Sequence, residues 1–205
     1  MAKNFCETLL EGCITASCTD PIFQGVKATA YIFNKSEIES FTYDQTNPNL
    51  VTAITMKTRE VEGTDVAYTG YKVSQFGKTP FTGTTTTMVE GAIVNKFNGE
   101  VHFTVFDNSP TAAKLIDQLK DGRFVMVLGN EYEGMDGKGG WQVFGAKRGM
   151  TASEITGEKY NDDTEGGWAV TLTEEGTPSS ALFIEHKTTD TVDTEAYLES
   201  LVSCE

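Results

Sequence analysis

The side chains able to do chemistry in this chain are few and scattered. Two histidines are present, His102 and His186, and neither belongs to the H-E-x-x-H helix that would hold zinc. His102 falls on the strand face opposite Val101 and Phe103 and reads as an exposed or packed strand residue. His186 closes a strand and opens an acidic tail. No serine stands in a G-x-S-x-G elbow. The stretch FGKTP (76–80) looks in part like a phosphate loop, but that loop needs a glycine at position 72, where the chain has Lys72. Pro80 also stands where the phosphate-cradling helix should begin. The acidic clusters EYEGMDG (131–137) and NDDTEGG (161–167) lack the D-x-[DN]-x-[DN]-G spacing of a calcium loop and read as solvated loops. Cys6, Cys13 and Cys18 are spaced C-x6-C-x4-C, which is no paired C-x2-C zinc frame. With Cys204 they read as reduced thiols, while a Cys18–Cys204 or Cys6–Cys13 bridge stays open for a particle that leaves the cell. The expectation is a protein that is not an enzyme, with no catalytic residue, no metal and no cofactor.

Charge says more. The 205 residues carry a net charge of −14. Residues 151–205 hold 13 acidic and 2 basic side chains, a net of −11, and residues 1–150 supply the remaining −3. A basic footprint for gripping nucleic acid is missing from this balance. The composition, 39% hydrophobic and 22% charged, is ordinary for a globular protein. No apolar run approaches the roughly 20 residues of a membrane-spanning helix, so no membrane insertion is expected. The N-terminal stretch MAKNFC lacks an apolar signal-peptide core, so nothing marks it for secretion.

The elements that must position these residues are mostly strands. VKATAYIF (26–33), SFTYD (40–44), LVTAITMK (50–57) and VAYTGYKVSQF (66–76) are β-branched, aromatic or alternating. GTTTTMVEGAIVNKF (83–97) is one long β-prone run, and EVHFTVF (100–106) follows it. RFVMVLGNEY (123–132) and WQVFGAKRG (141–149) flank a glycine cluster and predict a hairpin. WAVTLT (168–173) and ALFIEH (181–186) flank the turn-rich EEGTPSS. One stretch keeps a helical period. In SPTAAKLIDQLKDGRF (109–124), Ala112, Leu115, Ile116 and Leu119 share a stripe, Ser109 is placed to cap it, Pro110 to start it and Gly122 to stop it. The tail predicts either a short helix from about Asp193, with Tyr197, Leu198 and Leu201 on one side, or an arm ordered by a neighbour. The expected fold is mainly β: a sandwich or half-barrel of about ten strands, with the helix covering an open end or edge. Its parts are an N-terminal leader (1–24), a β domain (25–186) and an acidic C-terminal arm or short helix (187–205).

The order of these elements resembles the tail tube proteins of long-tailed bacteriophages, as found in phages of gut bacteria. The likeness runs over about residues 24–186. In that family a strand enters a short helix ending L-x-x-G-R, here Leu119, Gly122 and Arg123, and then an apolar strand, here Phe124 to Leu128. The next hairpin's second arm carries glycines around an aromatic residue, here Gly139, Gly140, Trp141 and Gly145, followed by Gly149, Met150 and Thr151. An aromatic-led strand, Trp168 to Thr173, and a closing strand, Ala181 to Glu185, complete the series. Ring proteins of the phage neck or tail completion region share the fold that this resemblance implies.

The resemblance implies a structural virion protein. Six copies would form a ring, rings would stack into a tube, and genomic DNA would pass through it without specific binding. The implied partners are the protein itself and other phage tail or neck proteins; its place is the virion tail, assembled in the host cytoplasm. A strand set with two apolar faces would seek partners on both. Acidic side chains in the lumen would repel phosphates and keep DNA sliding; Glu174 and Glu175 are the lumen-facing candidates. The alternative is a capsid decoration protein or glycan-binding β-sandwich, in which aromatics among Tyr68, Tyr71, Trp141 and Trp168 would stack on sugar rings.

Overall fold

The computed structural model describes residues 24–74, 81–188 and 191–203. The strands are β1 (Val26–Asn34), β2 (Ile38–Tyr43), β3 (Leu50–Met56), β4 (Thr58–Val61), β5 (Thr64–Ala67), β6 (Tyr71–Ser74), β7 (Phe81–Val89) and β8 (Lys96–Val105). Helix α1 (Pro110–Asp121) follows, then β9 (Phe124–Asn130), β10 (Trp141–Phe144), β11 (Thr151–Gly157), β12 (Trp168–Thr177) and β13 (Leu182–Ile184). A small ribbon, β14 (Lys187–Thr188) and β15 (Thr191–Val192), leads into helix α2 (Thr194–Ser200). The mainly β expectation holds, with more pieces than anticipated: fifteen strands and two short helices among the described residues. The run 83–97 is broken by a turn over 90–95, and EEGTPSS is in its first part strand, because β12 continues to Thr177. All four cysteines, the FGKTP stretch and nearly all of the expected leader lie outside the described residues.

Seven strands form the first sheet in the order β2-β3-β13-β10-β9-β1-β6, and four form the second, β11-β12-β8-β7. The first sheet cannot be flat. β1 and β2 stand five positions apart in it, about 24 Å at 4.8 Å per strand. Only the 3-10 turn Lys35–Glu37 joins them, a reach of about 14 Å for four Cα steps. The sheet must therefore roll up until its ends approach, as the hydrogen bond from Tyr68 N, just before β6, to Lys57 O, just after β3 (2.8 Å), bears out. This is the half-barrel.

Both faces of its middle strands are buried, which is why β9 reads as an unbroken apolar run. On one side Ala30, Ile32, Met126, Leu128 and Phe144 meet Val101, Phe103, Val170 and Leu172 of the second sheet. On the other, Tyr31, Phe33, Val127, Trp141, Val143, Ile54 and Ile184 fill the inside of the roll, closed by Leu198 of α2. The two apolar faces thus find their partners within the chain, and neither needs a neighbouring copy.

Helix α1 begins as its residues dictate. Ser109 Oγ accepts the Ala112 N–H at 3.2 Å, and Pro110 occupies the first turn. Ala112 and Ile116 are buried, and Leu119 packs on the same apolar cluster as Ala152 and Ile155 of β11, along which the helix lies. Leu115, expected in the same stripe, is instead 52% exposed; it sits about 100° around the helix from Ile116, past the margin of the sheet it covers. The helix ends where Gly122 turns to extended backbone (φ −81°, ψ 167°), and the position is glycine because a Cβ there would collide with the Phe124 ring.

The tail from Thr194 is a helix, fastened at several points. Tyr197 Oη accepts the Ile54 N–H (2.7 Å) and donates to Ile54 O (2.8 Å). His186 Nδ1 donates to Thr52 O (2.9 Å), and its ring stacks on Tyr197 at 3.8 Å. Burial pushes the Tyr197 hydroxyl above its ordinary value, outweighing the opposite pull of its bond to Ile54.

Candidate assembly surfaces

Glu174 and Glu175 are adjacent and have opposite surroundings. Glu174 is 7% exposed. Its carboxylate accepts three backbone N–H groups from the turn after β10: Gly145 (2.8 Å), Lys147 (3.2 Å) and Arg148 (2.9 Å). The turn that presents those amides depends on Gly145, whose φ of +82° and closeness to Phe124 O exclude a side chain. A carboxylate held this way is a structural pin: Glu174 is buried within the chain rather than displayed on its surface. Glu175 is exposed, and its carbonyl accepts Arg148 Nη1 at 3.2 Å.

The same turn gathers cations. Lys147 and Arg148 are exposed at its tip. Lys35 Nζ donates to Ala146 O at 2.7 Å, and burial, followed by the neighbouring charges of Lys147 and Lys57, holds its pKa below the usual value against the pull of Glu174. Arg123 and Lys35 flank Gly149, while Arg148 and Lys96 flank Gly176.

The second sheet has a bare edge. Among the described residues no strand pairs with the outer side of β7. Its nine residues, FTGTTTTMV, carry no charge and no proline, the devices by which edges are usually blunted. From Thr85 to Val89 every residue is exposed, so the β7–β8 hairpin projects beyond the sandwich. Its tip is apolar, with Met88 60%, Val89 43% and Ile93 89% exposed. A second projection is the β4–β5 ribbon, all eight of whose strand residues are exposed. An isolated two-stranded ribbon is marginal in water.

Elsewhere the candidates stay apart. His102 Nδ1 lies 3.1 Å from Thr171 Oγ1, and its Nε2 is 3.7 Å from Glu100; His186 is the tail fastening already described. No group of three or more His, Cys, Asp or Glu side chains is placed to hold a metal among the described residues. No described helix is long and apolar enough to cross a membrane. The aromatics of the glycan reading do not form a platform. Trp141 is buried against Tyr31 with ring centroids 5.4 Å apart, Tyr68 packs on the inner core under Arg59, Trp168 packs on the core between the sheets, and Tyr71 is the one widely exposed. The cleft beside Glu174 offers about 30 Å³, room for a water or two.

Sequence reasoning missed the β4–β5 ribbon, whose signal is the pair Glu62-Gly63, both at positive φ (51° and 79°), the mark of a two-residue hairpin turn. It also missed the role of Glu174, for which no local signal exists. The chain matches no family model, no curated protein and no solved structure.

Proposed function

We propose that the protein is a structural virion subunit of a bacteriophage tail tube or of a related tail or neck ring, working by self-assembly rather than bond chemistry. The observation that carries this reading is the bare, uncharged β7 edge running into an apolar-tipped hairpin. Such an edge invites a strand from another copy, because its unpaired N–H and C=O groups continue the sheet at little ordering cost. The element order agrees with it, as does the exposed β4–β5 ribbon, which a neighbour would order. The partners on this reading are further copies in rings of six, other tail or neck proteins, and genomic DNA passing through without specific binding. The working place is the virion tail, after assembly in the host cytoplasm.

Negative-stain electron microscopy of the purified protein, with light-scattering mass across a concentration series, tests it. The expected result is rings or hollow tubes for the natural chain, and their loss in Thr85→Lys/Thr87→Lys, which puts charge on the edge while leaving the melting temperature within about 2 °C. A 22.4 kDa monomer at every concentration overturns the reading.

A further inference from the structure

The second sheet is electrically polar along its strands. At one end, where Thr177 of β12 pairs with Phe97 of β8, stand Lys35, Lys57, Lys96, Arg123, Lys147 and Arg148, linked by the contacts above. They are six of the chain's 16 lysines and arginines. Of the acids beside them Glu174 is buried under amides and Glu37 accepts Asn34 Nδ2 at 2.9 Å, while Glu175, Glu39, Glu90 and Asp121 are exposed around the margin of the turn. At the other end Trp168 pairs with Val105 and Gly157. There the loops carry Asp107, Glu158, Asp162, Asp163 and Glu165 against a single cation, Lys159, all exposed. The ten residues of β12 separate the two ends by about 30 Å, several Debye lengths at physiological salt, so within one molecule they do not neutralise each other.

The basic end is also built to hold its shape. Glu174 binds three amides of the 145–149 turn, and Lys35 binds its Ala146 carbonyl. With the backbone clamped from inside, Lys147, its Nζ 4.8 Å from the Tyr43 ring, and Arg148, bound to the Glu175 carbonyl, stay exposed and preordered, which is what a docking surface requires. Glu174 is a positioning residue for that turn.

We infer that copies of this chain dock head to tail, the basic turn 145–149 with Lys35, Arg123 and Lys96 of one copy against the acidic loops at Asp107 and 158–165 of the next. The inference rests on the assembly reading above and adds its stacking contact. It also assigns the polarity: a heterologous contact between two unlike ends repeats without closing, and so generates a column rather than a dimer. The complementarity speeds encounter and rejects the inverted arrangement, in which like ends would meet.

Sedimentation velocity and negative-stain microscopy at 50 and 500 mM NaCl would test this, on the natural chain, on Lys147→Glu/Arg148→Glu and on Asp162→Lys/Asp163→Lys. The first variant keeps the backbone amides that Glu174 binds; the second lies at the far end of the sheet and checks the same contact without touching that turn. Expected are stacked tubes for the natural chain at low salt, at least tenfold weaker stacking at high salt, single rings for either variant alone, and stacking restored in their equimolar mixture. Rings that stack normally in both variants, ignore salt, or fail to recover in the mixture overturn the docking inference and leave the ring reading standing. A natural chain that stays monomeric overturns both. Duplex DNA retained by the natural chain and lost in Lys147→Glu/Arg148→Glu with stacking intact would reassign the basic end to a polyanion and overturn the inference.

Discussion

The two edges of the second sheet have been treated oppositely by the same chain. β11 is covered on one side: α1 lies along it, with Ile116 and Leu119 in the same apolar cluster as Ala152 and Ile155, its other five residues are exposed, and a register shift between Ala152 and Glu154 interrupts its ladder. Among the described residues β7 has neither a covering strand nor a bulge along its threonine run, and its register with β8 continues unbroken from Gly83 to Val89. On the proposed assembly, the capped helix closes one edge of the sheet and the uncharged β7 leaves the other open to a strand from another copy.

Uncovering the protected edge is the strongest way to break this contrast. Ile116 is 5% exposed and bridges α1 to the core between the sheets. Ile116→Ala should lower unfolding stability by about 2–5 kcal/mol, read from urea titration, and should turn β11 into a second bare edge, so that irregular aggregates replace ordered rings. The exposed neighbour supplies the control: Leu115→Ala should change stability by less than about 0.5 kcal/mol. Similar losses for the two would mean that the helix is not seated as a cover.

The same division between inside and outside recurs within one dipeptide. Glu174→Ala leaves three turn amides without their acceptor and should cost about 3 kcal/mol, whereas Glu175→Ala should stay within about 0.5 kcal/mol. Paired urea curves separate the two. On the ring reading Glu175 alone remains a candidate for the channel wall, so its neutralisation, and not a fold defect at Glu174, is the variant in which slower DNA release is to be measured. Equal stability of the two variants would return Glu174 to the set of surface charges.

What the sequence made legible follows from how local each cause is. α1 was readable to the residue because its signals sit within it: a capping serine, a proline and a 3.6-residue stripe. β1, β9 and β12 were readable as apolar or alternating runs, although β12's end was not, because Glu174-Glu175-Gly176 resembles a turn and becomes strand only by pairing with β8. The sheet order was invisible. That β13 lies parallel to β3, or that β1 and β2 stand five places apart, depends on contacts between distant segments. Glu174 is the clearest case: its acceptor role is created by a turn 29 residues away, and a count of −11 over the last quarter cannot say which acids are inside. The bareness of β7 was equally hidden, since a threonine run reads the same on an edge as in a sheet's middle.

The smallest effect concerns the join between the bare and covered sides, where β8 hands the chain to α1. Asp107 accepts Ser109 Oγ (2.7 Å) and the Ser109 N–H (2.9 Å), and Ser109 in turn caps the helix. These bonds, the side-chain one first, hold the Asp107 carboxyl below its ordinary value. A depressed carboxylate favours the fold while it is ionised. Its contribution is therefore complete above the ordinary carboxylate range and is lost as pH falls through the lower value of the folded state. Unfolding curves between about pH 5 and pH 2 should show a shallower acid decline in Asp107→Asn than in the natural chain, while Ser109→Ala, which removes the cap itself, should cost about 1 kcal/mol at every pH. An acid limb unchanged by Asp107→Asn would mean that the capping serine, with the packing of Ala112, Ile116 and Leu119, holds the helix without help from the carboxylate behind it.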